Sequence, residues 1–341
     1  MLKLTIFSVL ITSMLVGCGG SSKNPTPPNQ APGSVKITAV VATDSSGNVS
    51  FTASATNAVS YDFDFGNGII QTIPSGITTY KYTSSGTYTV NVIAKSASGL
   101  TSSANIQVTV AVKLNLVWSD EFNTPGSPDP TKWTYDLGAG GWGNNELEYY
   151  TSRTDNAVVS NGTLKIIAKK ESYSGSSYTS ARLKTQGLYA FKYGRIDVSA
   201  KLPASIGTWP AIWMLGNNIS TVGWPACGEI DIMEQNGNNK NIVYGTLHYP
   251  QQVNQYGDGA TTSVANASTV FHKYSAIWSP TTIQLLVDDV VYYTLPNNSN
   301  FPFNQNFFII LNVAMGGTLG GTVDPNFTTD QMEIDYVRVY Q

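Results

Sequence analysis

The sequence predicts an all-β chain, a small β-sandwich followed by a larger sheet-rich unit, and three observations predict it. Between Lys36 and Val112, short runs alternate apolar and polar residues and stop at Gly, Ser or Asn, the pattern of half-buried strands joined by turns. The chain carries 31 Gly and 19 Tyr but only 12% charged residues, which suits an extracellular protein rich in sheets and turns. Residues 113–341 are enough for one large core. A net charge of −3 argues against nucleic acid or a sulfated polymer as the main partner, since either would call for a basic face.

The elements follow in order. Lys3 supplies a positive charge, Leu4 to Val16 is mostly apolar, and small Gly17 precedes Cys18, so residues 1–17 read as an export signal. The apolar run is too short to span a membrane. Leu15-Val16-Gly17-Cys18 resembles a bacterial lipobox, which implies cleavage before Cys18, lipidation of its sulfur and a membrane tether. The alternative is an ordinary signal peptide with Cys18 left over. Gly19 shows no aspartate of the kind that retains lipoproteins at the inner membrane, which favours the outer membrane or cell surface. Residues 18–34 are a Pro/Ser/Asn-rich spacer without apolar periodicity, expected to be disordered. Cys227 is the only other cysteine; with Cys18 acylated no disulfide forms, and Cys227 is expected to be a small buried hydrophobe.

Residues 35–112 hold the strand candidates SVKITAV, NVSFTASA, SYDFDFG, TYTVNVIAKS and ANIQVTVAV. YDFDFGNG at 61–68 and YKYTSSGTYTVNVIA at 80–94 resemble a PKD domain, which implies an immunoglobulin-like β-sandwich, here with Tyr61 in place of the usual Trp and Gly66-Asn67-Gly68 in place of Gly-Asp-Gly. Asp62 and Asp64 are expected to be solvated rather than calcium ligands.

The larger unit, residues 113–341, contains GEIDIMEQNG at 228–237, with Glu229, Asp231 and Glu234 in one β-favouring run. Side chains alternate on a strand, so Glu229 and Asp231 share a face, whereas Glu234, five from Glu229, should point away. One extra residue bulged out near Ile232 or Met233 would return Glu234 to that face, and bulges recur beside active sites. Crowded carboxylates cannot all ionise easily, so an acid and a base would coexist near neutral pH. A retaining glycoside hydrolase needs that pair about 5–5.5 Å apart. The alternative is an edge strand with solvated acids.

The motif resembles the catalytic signature of glycoside hydrolase family 16, in the laminarinase-like branch with an extra residue between the glutamates. From Leu114 to Gln341 other stretches agree: VWSDEF at 117–122, GWGNNELEYYT at 141–151, YGRIDVSAKLP at 193–203, GTWPAIWML at 207–215, FHKYSAIWSP at 271–280, LNVAMGG at 311–317 and MEIDYVRVY at 332–340. The resemblance implies a concave β-jelly-roll sandwich, with Glu229 as nucleophile, Glu234 as acid/base and Asp231 holding and tuning them. It implies an endo-acting β-1,3-glucanase on laminarin-like polymers, with a mixed-linkage β-1,3-1,4-glucanase or a non-catalytic glucan-binding protein as alternatives. Between Gly207 and Val270 the only Lys or Arg is Lys240, which fits a neutral β-glucan.

All seven tryptophans follow residue 117. Trp209 and Trp213, four apart, share a strand face just before the acids, and sugars stack on flat rings; by resemblance both flank subsites. Trp118, Trp133 and Trp278 lie in alternating apolar runs and are expected in the core. Trp142 and Trp224 lie in Gly/Pro-rich loops, open to binding or burial. By resemblance Asn145, Glu148 and Tyr149 face the cleft and bond sugar hydroxyls. Arg195 is read either as a substrate ligand or as a salt-bridged arginine. His248 is a candidate donor to a sugar hydroxyl, whereas His272 is expected to be structural. No His/Cys cluster has zinc spacing, so catalysis is expected to need no cofactor. Laminarinase-like relatives often carry a structural calcium on the convex side, and Glu121, Gly162 and Asp335 match its ligand positions; the alternative is that Asp335 pairs with Arg338. The chain is expected to act as a monomer.

Overall fold

The computed structural model describes residues 30–341 apart from positions 84, 255 and 256. The export signal, Cys18 and most of the spacer lie outside the described residues. Among the described residues, helix is confined to short turns such as Ile219–Val222 and Gly317–Gly320, and everything else of length is strand.

The first unit is a sandwich of two antiparallel sheets. One orders Lys36–Val41, Asn48–Ser54 and Ile77–Lys81; the other orders Ile70–Ile73, Ser60–Asp64, Gly86–Lys95 and Thr101–Val110. Alternate residues Val49 and Phe51, Tyr61 and Phe63, Val90 and Val92 point inward, and they form the core with Phe65 and Tyr82. Burying each large apolar side chain contributes about 1.5–3 kcal/mol before chain entropy is counted. Ile70–Ile73 and Ile77–Lys81 are strands beyond the five expected from alternation. IQTI at 70–73 is exposed at three of four positions, so hydrophobic alternation does not mark it; its pairing with Ser60–Asp64 does. Asp62 is held by Lys95 at 2.5 Å and by the Thr72 hydroxyl, not arranged as a cation ligand.

The second unit is a jelly-roll sandwich. Its outer sheet runs Glu148–Tyr150, Ser176–Ser180, Thr163–Tyr173, Thr329–Tyr340, Gly194–Lys201, His272–Trp278, Thr282–Val287 and Val290–Pro296, with Ala157–Ser160 and Leu116–Asp120 as side partners. Its inner sheet runs Asp258–Ser263, Ile242–His248, Glu229–Glu234, Thr208–Gly216, Phe307–Met315, Arg182–Lys184 and Thr134–Asp136. Ile166, Val198, Ile212, Ile230, Leu311 and their neighbours fill the space between the sheets. Trp133 and Trp278 are 2% and 1% exposed, and Trp118 packs against the same core, as their alternating runs predict. The strand Phe307–Met315 is buried at every position because core lies on one side and the floor of a cleft on the other.

Candidate active site

The strand Glu229–Glu234 contains the bulge that the motif requires. On one neighbour Asp231 pairs with Trp213 and Met233 with Ile212, so Ile232 is the extra residue; on the other, Asp231 pairs with Thr246 and Glu234 with Tyr244. Ile230, Ile232 and Met233 are all 0% exposed and belong to the core. Two consecutive side chains therefore point inward, and the alternation restarts with Glu234 facing out beside Glu229 and Asp231. The same alternation on neighbouring strands brings Trp209, Ala211, Trp213 and Leu215, and then Tyr244, Thr246 and His248, to that face. They line a cleft of about 950 Å³.

Each glutamate has its own indole donor. Trp224 Nε1 donates to Glu229 Oε2 at 2.9 Å, and Trp209 Nε1 donates to Glu234 Oε1 at 2.9 Å. His248 Nε2 lies 3.2 Å from Asp231 Oδ2 and 3.9 Å from Glu229 Oε1. Burial and the charge on Asp231 push the Glu229 carboxyl up to about 8. Burial pushes Glu234 up to about 7, against the pull of the Trp209 N–H and with a further push from the charge on Glu229. Asp231 is also raised, first by burial and then by the charge on Glu234. All three carboxyls are thus held above the usual carboxylate range, so the patch keeps protons near neutral pH. A site that holds both a proton and a negative charge on adjacent carboxyls can protonate a leaving oxygen and attack carbon. Oxygen and nitrogen atoms of Glu229, Asp231 and His248 also lie within 4.8 Å of one another, close enough to hold a divalent cation.

Of the residues expected in the cleft, Glu229, Asp231, Glu234, Trp209, Trp213, Trp224 and His248 line it. Four do not, and each has a local reason. Asn145 sits at φ 59°, a turn conformation that hands the lining to its neighbours Asn144 and Glu146. Glu148 is 0% exposed and accepts from the backbone N–H of Met315 at 2.6 Å. Tyr149 belongs to the outer sheet, edge-on to Tyr173 at 5.1 Å. Arg195 is also on the outer sheet, salt-bridged to Asp197 at 2.6 Å and Asp289 at 2.5 Å. His272 is likewise remote, paired with Asp288 at 2.7 Å. Cys227 is buried beside Glu229, and burial pushes its thiol up to about 11, which makes it inert as a nucleophile.

The cleft also contains residues that the sequence reading did not single out. Arg182 lies 4.9 Å from the Trp142 ring and 4.7 Å from the Trp213 ring, and pairs with Asp136 at 3.0 Å. It fixes two aromatic walls through cation–π contact. Nothing local marks it, because its partners come from two distant stretches, 136–142 and Trp213. Asn312 had a signal: a lone amide in the apolar run LNVAM. Its Oδ1 accepts from Trp213 Nε1 at 2.8 Å, and its Nδ2 donates to Tyr150 Oη at 3.1 Å.

Comparison with known proteins agrees with this geometry. Residues 144–338 match Glycosyl hydrolases family 16, and residues 33–112 match the PKD domain. The chain is 47% identical over 243 residues to the β-glucanase of Rhodothermus marinus, covering 66% of this chain and 85% of that protein. The solved laminarinase of Rhodothermus marinus superposes with a TM-score of 0.65 at 46% identity, over 67% of this chain and 98% of the other. A Zobellia galactanivorans LamA variant, in complex with laminaritriose and laminaritetraose, gives a TM-score of 0.62 at 46% identity, over 67% of this chain and all of the other. With more than half of its residues matched and that sequence identity sustained across nearly the whole of the β-glucanase, the chain belongs to glycosyl hydrolases family 16.

Proposed function

We propose that the chain is a retaining endo-β-glucanase that hydrolyses β-1,3 linkages in neutral, laminarin-like glucans. The observation that carries the reading is the bulge at Ile232, which turns Glu234 onto the cleft face beside Glu229. The form that reacts has Glu229 ionised and the proton on Glu234; Glu234 then protonates the leaving oxygen while Glu229 attacks the anomeric carbon, the bond to the leaving sugar breaks and a glycosyl–Glu229 ester forms. Glu234, now ionised, takes a proton from water, whose oxygen displaces Glu229 and frees the sugar. The indole N–H groups of Trp224 and Trp209 hold the two carboxyls in place, and His248 Nε2 lies 3.2 Å from Asp231 between them. A neutral polymer is favoured because the cleft concentrates acids, and its one arginine, Arg182, is already paired with Asp136.

The test is a digest of laminarin, lichenan, barley-type mixed glucan, agarose and carrageenan side by side, with proton NMR of the first products. Laminarin should be cleaved fastest, with the β-anomer appearing before mutarotation. Faster cleavage of lichenan would favour the mixed-linkage reading, and α-anomer first would remove the covalent route.

We further propose export and a lipid anchor at Cys18 on the outer membrane or cell surface, with the PKD-like unit as a spacer and a monomer as the working form. The LVGC stretch and the polar spacer after it support this. For a structural calcium, Glu121, Gly162 and the exposed Asp335 would supply the ligands. The last strand pairs with residues 164–169 up to Ile334 and with residues 116–120 from Val337 on. Asp335 lies in that changeover, and Gly162 and Glu121 are each within two residues of the last pair. Both Glu121 oxygens accept from Arg338, at 3.0 and 2.8 Å, so an ion there would share or displace that partner.

A further inference from the structure

Glu148 is a carboxyl group in a place where a charge has no counterion. It is 0% exposed, and Oε2 accepts from the Met315 N–H at 2.6 Å. Oε1 is buried with no donor aimed at it. The group it meets is another acid, Glu146, whose carboxylate lines the cleft. Glu146 already accepts from Tyr150 Oη at 2.8 Å and from Asn144 Nδ2 at 3.3 Å. Two buried carboxyls can stay in contact only if a proton lies between them.

We propose that Glu148 is a positioning residue, a neutral carboxylic acid that donates its O–H to Glu146 and so fixes the Glu146 carboxylate at the cleft wall. Three of the roughly four lone-pair positions on Glu146 are then used by Tyr150, Asn144 and Glu148, leaving one for a sugar hydroxyl. Tyr150 is itself held by Asn312, which Trp213 holds in turn, so the orientation runs from the aromatic wall to the acid. Burial and then the charge on Glu146 both favour the protonated form of Glu148. Besides Glu146, the titratable groups that face this cluster are Tyr150, Glu234 and Arg182, the last committed to Asp136. The charge on Glu146 also raises Glu234, so the pair helps the acid/base keep its proton. Ionising Glu148 would push the Glu146 carboxylate off its donors and disturb both roles.

The kinetic part rests on the glucanase reading; the protonation part does not. Carboxyl-13C NMR of glutamate-labelled enzyme, with Glu148 assigned as the resonance missing from Glu148→Gln, should show a neutral acid at pH 6.5 without any substrate. An ionised resonance there would overturn the proposal. Glu148→Gln keeps a donor for Glu146 and an acceptor for Met315, so kcat and KM on the cleaved glucan should stay within about threefold of wild type. Glu148→Leu lacks the donor and should raise KM about tenfold with kcat nearly unchanged. Equal losses in both variants, or none in either, would also overturn it. Melting curves extend the test: wild type should lose Tm relative to Glu148→Gln as pH rises and Glu148 ionises, whereas parallel curves count against it. If wild type cleaves no glucan while the NMR shows the neutral acid, the glucanase reading fails and the positioning proton stands.

Discussion

In the proposed mechanism Glu229 and Glu234 perform opposite tasks from one buried patch, each accepting from its own indole. Because each is one half of a two-step covalent route, Glu229→Ala or Glu234→Ala should leave circular dichroism unchanged while turnover of laminarin falls at least about a hundredfold. Asp231→Asn should cost less. Near-wild-type turnover in Glu229→Ala would show that the nucleophile lies elsewhere. The same burial has a thermodynamic sign. The Glu229 carboxyl is raised from 4.5 to about 8 on folding, so between those values the folded chain binds more protons than the unfolded one. Stability contributed below the unfolded value is therefore lost as pH rises through about 8. Glu229→Gln, neutral throughout, should match wild type in Tm at pH 4 and exceed it by about 3 °C or more at pH 8. An identical gap at both pH values in scanning calorimetry would refute the titration as described.

At the scale of the element, the bulged strand decides which way the chemistry faces. The sequence E-I-D-I-M-E has the wrong parity for a regular strand, and the extra residue corrects it by sending Ile232 and Met233 both into the core. Deleting Met233 leaves E-I-D-I-E, in which regular alternation already puts all three acids on one face. That variant should fold with lower stability, having lost a buried side chain worth about 2–5 kcal/mol, yet keep measurable glucanase activity. Met233→Ala keeps the bulge and should lose stability alone. A folded deletion variant with activity as low as Glu234→Ala would mean that the bulge sets more than parity.

For the whole molecule, the inner sheet carries the cleft and the outer sheet carries further charge pairs away from it. Arg195 pairs with Asp197 and Asp289, and Lys201 pairs with Glu333, all on outer-sheet strands or the turn beside them. The pair to the exposed Asp289 contributes little. A calcium ion bound only by the folded state would add stability by mass action. Chelation with EGTA should then lower the Tm of the catalytic unit without abolishing turnover at moderate temperature, and an unchanged melting curve would remove the calcium site.

Much of this was legible in one dimension because it depends on short-range parity. Alternation marked the sandwich strands, the misfit of Glu234 demanded a bulge near Ile232 or Met233, and four-residue spacing put Trp209 and Trp213 together on the cleft face. Residue identity and local geometry alone sufficed there. The resemblance placed Asn145 and Glu148 on the cleft, but a turn intervened: with Asn145 left-handed, Asn144 and Glu146 supply the lining and Glu148 is buried. Arg182 between two tryptophans, Asn312 bridging Trp213 to Tyr150, and the carboxyl contact of Glu146 with Glu148 were decided only by the tertiary structure. The first two depend on strands brought side by side from distant parts of the chain; the third, between residues only two apart, depends on the low-dielectric interior that such packing creates, where a buried acid keeps its proton.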